Sequence, residues 1–345
     1  MLRVLTLSSL FPDATRPNFG VFVERQTLGL AAHPDVALRV VAPVGVPVWP
    51  LDRLARHATL AALPLRETWR GVTVERPRFR TIPGTKGRWH AAALVRALIP
   101  VVDAMRRDFA FDVIDASFFF PDGVAAAALG RRYGVPVSIK ARGADIHHWG
   151  STGPTRAQVV AAGRAADGLL AVSGAMRDDM IALGMPSERI RVHHTGVDQA
   201  RFRPVPSRAA AKAAMGVAGP LVLSVGALIA RKGHDVVIEA VARLPGVSAM
   251  IAGEGPDRAQ LEALIRAKGL DARVRLLGSV PHGEIPGLVA TADVMALASA
   301  SEGLANAWVE ALACGTPIVV TEAGGARLGG APRRRPVDRR RALSA

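Results

Sequence analysis

The sequence predicts an α/β protein of two domains, each built on a mostly parallel sheet. Three observations carry this. Short apolar runs of strand length alternate with helix-forming runs along the chain, the repeat of strand–loop–helix units. The pattern runs once to about residue 205 and starts again after a proline-bounded stretch, HHTGVDQARFRPVP. The chain has 345 residues, a length that suits two domains. Half of the residues are hydrophobic and 5% aromatic, as in an Ala/Val/Leu-rich α/β core.

In the first half, Leu2 to Leu7 (LRVLTL) reads as a buried strand. A Pro/Gly-containing loop follows from Ser8 to Gly20, then a helix from Val21 to Ala32. Loops at the C-terminal ends of strands are where open α/β sheets bind ligands. Gly20 at the helix start would let backbone approach such a ligand closely. A plain connecting turn is the alternative, although the loop is long for one. Ala37 to Pro43 is a second strand. From Val44 to Arg88 the pattern is irregular, with several prolines and many basic residues, and Trp49, Trp69 and Trp89 punctuate it. It is expected to be a partly helical insertion with a short strand near Val72 to Arg76. Such a basic amphipathic surface suits contact with anionic headgroups; the other reading is a solvated surface with its tryptophans packed inward.

A helix is predicted over Trp89 to Arg107 and a strand over Phe111 to Ala116. The loop Ser117 to Gly123 and helix Val124 to Arg132 follow, then a strand over Val135 to Lys140. That strand runs into ARGADIHHWG, which places Arg142, Gly143 and Asp145 at its C-terminal edge. His147 and His148 are adjacent and cannot both face one ligand from a regular strand, so no metal site is expected. A strand at Asp167 to Val172, a helix from Ser173 and a strand at Ile190 to Val192 complete the first domain.

The second half repeats the scheme. Strand Pro220 to Val225 leads through the loop Gly226 to Gly233 (GALIARKG) into a helix over His234 to Leu244. Arg231 and Lys232 stand at the loop–helix junction, where backbone N–H groups already favour anions. They read as a diphosphate clamp or as a solvated basic pair. Strand Val247 to Ala252 ends in Gly253-Glu254-Gly255, a GxG without the third glycine and a weak dinucleotide signal. Strand Arg273 to Leu277 and a short helix over Gly283 to Thr291 precede an apolar strand, Asp293 to Ala298. Then comes SASEGLANAWVEALACGT, Ser299 to Thr316, and a last strand, Pro317 to Val320. Glu302 lies in the loop and Glu310 about one turn inside the helix Ala305 to Cys314. Carboxylates accept hydrogen bonds from hydroxyls strongly, and a helix start offers free N–H groups, so the pair suits a polyol ligand. One solvated and one capping glutamate is the competing reading.

The formal net charge is +15, but the nineteen residues from Arg327 carry seven arginines and one aspartate, a net +6, which leaves +9 elsewhere. That remainder is spread through the first half and forms no nucleic-acid stripe, so no nucleic-acid partner is expected. The single cysteine, Cys314, permits no disulfide framework. The N-terminus lacks a signal-peptide pattern. The most apolar helical stretch, Ala91 to Met105, is interrupted by Arg96, Pro100 and Asp103 and is too short and polar to span a bilayer. A cytoplasmic protein is expected.

The motifs, taken in order, resemble family 4 glycosyltransferases. Glu302 and Glu310 form an E-x7-E motif continued by ACGTPIVVTEAGG. SVGALIARKGHDVVIEA, IAGEGPDRAQLEALI and VRLLGSV precede it. FPDATRPNFGVFVERQ, PDGVAAA, ARGADI and VHHTGVDQARFRP stand in the first half, so the resemblance covers roughly residues 1 to 326. It implies the fold class α/β of the GT-B type, two Rossmann-like domains with parallel sheets facing across a cleft. The division implied is residues 1–205 on the acceptor side, 206–326 binding a nucleotide-sugar, and a disordered Arg/Pro-rich tail, 327–345. The activity implied is retaining transfer of a sugar from a nucleotide-sugar donor to a saccharide or lipid-linked acceptor, in cell-surface polysaccharide or glycoconjugate synthesis.

By the resemblance, Glu310 binds the nucleotide ribose, and Glu302 contacts the donor sugar with the backbone of Gly303, Leu304, Ala305 and Asn306. Arg231 and Lys232 hold the diphosphate and stabilise the leaving group. Gly20, Gly226 and Glu254 join the donor site, and Arg142 and Asp145 line the acceptor side. No metal or other cofactor is implied. Peripheral contact with the inner face of a membrane fits such acceptors. The sequence departs from the family pattern at His194-Thr195-Gly196-Val197-Asp198, at Ser117, and at its end, where ARLGGAPRRRPVDRRRALSA reads as a truncated or frameshifted terminus that leaves the second domain incomplete. A GT-B epimerase or phosphorylase, or a catalytically impaired nucleotide-sugar-binding protein, are the alternatives.

Overall fold

The computed structural model describes residues 1–327. The Arg/Pro-rich tail expected to be disordered lies, from Leu328 on, outside the described residues. The chain divides into two compact units, the first ending at His194 and the second beginning at Thr195. This division precedes the expected one at residue 205. The intervening segment packs on the second unit: Arg201 Nη2 donates to the His282 carbonyl (3.1 Å), and Phe202 stands 6.1 Å from the His282 ring.

The first unit contains β1 (Leu2–Leu7), β2 (Val36–Val41), β3 (Val44–Pro47), β4 (Arg66–Trp69), β5 (Val72–Glu75), β6 (Arg78–Thr81), β7 (Val113–Ala116), β8 (Val137–Ala141), β9 (Gly168–Ala171) and β10 (Ile190–Val192). Its main sheet has the order β10-β9-β8-β7-β1-β2-β5-β4, with β3 and β6 forming a separate parallel pair. Helices pack on the main sheet through apolar stripes. On the helix His90–Met105 the stripe is Ala91, Leu94, Leu98, Val102 and Met105, all buried at the three- and four-residue spacing of one face.

The segment 44–88 corrects the sequence reading. It holds four strands rather than a mainly irregular insertion with one. β4 and β5 form an antiparallel hairpin that extends the main sheet. Their connection is Arg70-Gly71, both at positive φ (48° and 86°), as the two-residue turn of a twisted hairpin requires. The charged residues that hid these strands are paired within the fold. Arg76 is buried, pairs with Glu67 (2.5 Å) and donates through Nη2 to the Pro12 carbonyl (2.7 Å).

The second unit contains β11 (Leu221–Val225), β12 (Ser248–Ala252), β13 (Val274–Gly278), β14 (Val294–Leu297) and β15 (Ile318–Val320). All pairings are parallel, in the order β13-β12-β11-β14-β15. Leu228, Ile238, Val241, Ile251, Leu261 and Ile265 fill one side of this sheet. The strand sequence runs one way from β11 to β13 and the other way from β14 to β15. The reversal between β11 and β14 is the switch point at which open sheets leave a crevice outside their C-terminal edge. In the first unit the same reversal lies between β1 and β7.

Candidate active site

The loops that leave β11 and β14 at the second switch point carry the two strongest sequence motifs, and the structure joins them. The loop after β11 ends in a single turn, Ala230–Lys232, and Gly233 then starts the helix His234–Ala242. Lys232 Nζ lies 2.5 Å from Glu302 Oε1 in the loop after β14, and Arg231 Nη1 lies 3.6 Å from the same oxygen. Arg231 also donates through Nη1 to the Ser301 carbonyl (2.6 Å), and its own carbonyl accepts from Ala300 N–H (2.8 Å). Two glycines let the loops meet. Gly233 has φ +66°, and a Cβ there would collide with the Ala298 carbonyl. A Cβ on Gly324 would collide with the Glu302 carbonyl, while Gly325 N–H donates to the Gly303 carbonyl (2.7 Å).

The result is a carboxylate held by two cations at a strand edge. Glu302 is 8% exposed, and its Oε2 accepts no hydrogen bond among the described residues. It is free to accept from a ligand hydroxyl. Arg231 keeps nearly half of its side chain in solvent, so the cationic edge faces outward. Gly303, Leu304 and Ala305 are buried beside it, and Asn306 begins the helix Asn306–Ala313. Glu310 is on that helix and also 8% exposed. Its carbonyl accepts from Cys314 N–H (3.1 Å), and Cys314 is a buried core residue.

Gly226 lies beside the Lys232 stem, at 3.4 Å from Cδ for a Cβ placed there. Gly253 and Gly255 are glycine for an internal reason: a Cβ on either would strike the backbone of Gly226 or Leu228. Glu254 is engaged by the loop after β13 and by its own helix, its Oε1 accepting from Ser279 N–H (3.2 Å) and lying 3.5 Å from Arg258 Nη1. It steadies the β13 loop.

His234 was not singled out by the sequence, yet it locks the same loop. It is buried, its Nδ1 lies 3.1 Å from Ser224 Oγ and its Nε2 3.2 Å from the Ala227 carbonyl. Burial pushes its pKa down, so it serves as a neutral brace. The signal available was its place immediately after the ARKG loop.

In the first unit, Gly20 has φ +69° and no room for a Cβ against the Leu10 carbonyl. Its glycine is required by the packing of the loop itself. Asp145, expected on the acceptor side, is fully buried. It accepts from the N–H groups of Arg142 (3.0 Å), Gly143 (2.8 Å) and Phe119 (3.2 Å). Asp145 therefore shapes the loop that carries Arg142 and is not presented outward. Arg142 donates through Nε to the Ser117 carbonyl (2.7 Å) and through Nη2 to Gln26 Oε1 (2.8 Å), over the ring of Phe22. Its Nη1 makes no bond among the described residues. At the adjacent switch point Asp122 accepts from Ser9 N–H (2.8 Å) and Oγ (3.0 Å), and burial pushes its pKa up to about 7. His147 Nε2 lies 2.9 Å from Asp179.

Gln26 is shared. Lys140 Nζ, only 1% exposed, also donates to Gln26 Oε1 (3.1 Å) and lies 2.7 Å from His193 Nδ1. Burial, with the Arg142 charge, pushes the Lys140 pKa down to about 7 from 10.5. The unfolded chain therefore binds more protons between these values, so stability from this group is complete above the unfolded pKa and is lost as pH falls toward 7. Chemical denaturation of the wild type is expected to show stability rising from about pH 7 toward pH 10. Lys140→Met is expected to flatten that rise, and an equal rise in the variant would exclude Lys140 as its source.

Comparison with known proteins bears on the family and the fold. The family model for group 1 glycosyl transferases matches residues 210–328, and that for glycosyltransferase family 4 matches residues 30–201. The chain is 29% identical over 339 residues to TuaC of Bacillus subtilis (strain 168), a glycosyltransferase assigned to teichuronic acid biosynthesis, covering 94% of this chain and 82% of TuaC. It is 40% identical over 149 residues to the D-inositol 3-phosphate glycosyltransferase of Mycobacterium bovis (strain BCG / Pasteur 1173P2), a match of 41% of this chain and 31% of that protein. Among solved structures, sucrose-phosphate synthase from Thermosynechococcus elongatus superposes with a TM-score of 0.77 at 19% identity, covering 95% of this chain and 83% of that one. Anabaena HepE in complex with UDP and glucose superposes with a TM-score of 0.69 at 22% identity, covering 94% and 82%. With two Rossmann-like units and both family models matched in order along it, the chain belongs to the family 4 glycosyltransferases of the GT-B fold.

Proposed function

We propose that the protein transfers a sugar, with retention at its anomeric carbon, from a nucleotide-sugar donor to a saccharide or lipid-linked acceptor in glycoconjugate synthesis. The observation that carries this reading is the Lys232–Glu302–Arg231 constellation at the switch point of the second unit. A diphosphate needs fixed cations beside backbone N–H groups, and a sugar needs a carboxylate with an unused lone pair. The ends of β11 and β14 supply both. HepE, of the same fold, has been crystallised with UDP-glucose, which supports a nucleotide-sugar donor here.

In this reading the anomeric C1–O bond to the diphosphate breaks as the C1–O bond to the acceptor forms on the same face. The acceptor proton passes to a departing phosphate oxygen. Lys232 and Arg231 stabilise the charge that develops on the diphosphate, so no metal is called for. Glu302 Oε2 accepts from a donor-sugar hydroxyl, Glu310 holds the ribose, and Arg142 faces the acceptor with its free Nη1.

The test is incubation with labelled UDP-, GDP-, ADP- and dTDP-sugars. Acceptor-dependent product with release of nucleoside diphosphate supports transfer. A changed sugar still attached to its nucleotide supports epimerisation, and binding without turnover supports a binding protein. Glu310→Ala is expected to weaken donor binding by about tenfold to a hundredfold, the loss of charge-assisted hydrogen bonds. Unchanged donor affinity would remove the ribose role.

A further inference from the structure

The first unit holds a polar group around Gln26 that the sugar-transfer reading leaves without a role. Its effect falls on Arg142. The helix Val21–Ala31 presents two side chains, one turn apart, to that arginine. The Phe22 ring lies against the guanidinium, with 5.0 Å from Cζ to the ring centre, and Gln26 Oε1 accepts from Nη2 at 2.8 Å. The Ser117 carbonyl, just after β7, accepts from Nε at 2.7 Å. A bond at Nε alone leaves the guanidinium free to turn about its Nε–Cζ bond. The bond at Nη2 and the ring face fix the plane, and with it the direction of Nη1, which is unbonded among the described residues.

Gln26 in turn owes its orientation to Lys140. An amide can turn either its oxygen or its nitrogen to a neighbour. Lys140 Nζ, 1% exposed, donates to the same Oε1 at 3.1 Å, so two donors converge on one atom. The amide nitrogen would set donor against donor at both, and the oxygen end is selected. The other partner of the amine is His193 Nδ1, at 2.7 Å. The charged and titratable groups around the amine are Arg142 two residues on, Asp115 on β7 and His193 after β10, with His194 beside it. Burial pushes the amine down to about 7. Burial, then the charges of Lys140 and Arg142, push His193 down too, so the imidazole is neutral where the amine titrates. As ammonium or as free amine, Lys140 keeps an N–H for Gln26.

We propose that Gln26 and Lys140 are positioning residues: Lys140 selects the orientation of the Gln26 amide, and Gln26 sets the direction in which Arg142 Nη1 is presented to the acceptor. The last link rests on the reading of Arg142 as the residue that faces the acceptor. The first two concern the guanidinium alone, and every group involved lies in the first unit. Geometry decides against a tie that merely joins helix to sheet. One bond from Lys140 would suffice for that, whereas the same oxygen also holds a guanidinium with a donor to spare.

The experiment is nuclear magnetic resonance of the full chain, isotope-labelled in its arginine side chains, with the Arg142 signals assigned through Arg142→Lys. It uses neither donor nor acceptor, so its failure is separate from failure of the sugar-transfer reading. The wild type is expected to show slowly rotating Arg142 Nη groups whose shifts titrate near pH 7, with Lys140. Gln26→Ala is expected to speed rotation about the Nε–Cζ bond by about tenfold or more, the loss of one hydrogen bond to a charged group. Gln26→Glu keeps an acceptor oxygen at the same reach and is expected to restore slow rotation. Lys140→Met is expected to remove the titration of the Arg142 shifts. Rotation as slow in Gln26→Ala as in the wild type overturns the role of Gln26, and if the melting temperature falls in that variant the group is a structural tie. A titration that is absent from the wild type, or that persists in Lys140→Met, overturns the role of Lys140.

Discussion

Replacing Lys232 with alanine is expected to lower the turnover number for sugar transfer by about a hundredfold to a thousandfold. The amine is 2.5 Å from Glu302 Oε1, at the edge where β11 and β14 diverge. Its removal takes away one of two cations that would meet charge developing on a departing diphosphate. It also leaves Glu302, nearly buried, with Arg231 as the remaining cation at 3.6 Å. The two effects separate in a double variant. Lys232→Met with Glu302→Gln restores charge balance inside the loop without restoring a cation for the phosphate. If the cation serves the phosphate, steady-state kinetics will show the double variant at least as slow as Lys232→Met alone. Recovered turnover would assign Lys232 to holding Glu302 in place. Lys232→Arg is expected to stay impaired, because a planar fork cannot take the position of a compact ammonium beside Gly226.

Gly233→Ala is expected to destabilise the second unit and to reduce turnover together. The residue sits at φ +66°, and an added Cβ would meet the Ala298 carbonyl on the partner loop. The left-handed conformation alone costs about 1–2 kcal/mol for a residue with a Cβ. The collision adds to this, because Ala298 continues β14 and has little room to retreat. Differential scanning calorimetry should show a fall of about 5 °C or more. Gly246→Ala is the control. It has φ +76° but no atom within 4 Å of the added carbon, so it carries the conformational cost without the collision. A melting temperature for Gly233→Ala no lower than that of Gly246→Ala would show that the two loops are not pressed together as described.

The sequence made the second unit legible because its chemistry stands at strand ends. The Arg231–Lys232 pair and Glu302 are widely separated in the chain, yet each follows an apolar run of strand length, so a parallel sheet brings them to one edge. The first unit was less legible for two reasons. Its strands in 44–88 are four residues long, and β4 (RETW) and β6 (RFRT) are rich in arginine and hold no apolar run; of the four only β5, with the alternation VTVE, was marked in the sequence. Arg76 and Glu67 satisfy each other inside the fold, which no local pattern announces. The buried group around Gln26 is also non-local, as Lys140 and Arg142 reach it across more than a hundred residues. Asp145 was placed at the correct strand end, but its orientation depended on three backbone N–H groups that a sequence does not display. The glycines show the same limit. Gly20 was read as an opening for a ligand and Gly253-Glu254-Gly255 as a weak dinucleotide signal; in the structure the missing Cβ atoms of all three glycines, Gly20, Gly253 and Gly255, make room for neighbouring backbone.

The central claim is that the ends of β11 and β14 form the site for a nucleotide-sugar. Isothermal titration of UDP-, GDP-, ADP- and dTDP-sugars onto the full chain tests it most directly, with Lys232→Met and Glu310→Ala beside the wild type. The expected result is saturable binding of at least one donor by the wild type, weakened about tenfold or more in both variants. Binding of equal strength in all three proteins, or no binding of any of these donors by the wild type, would contradict it.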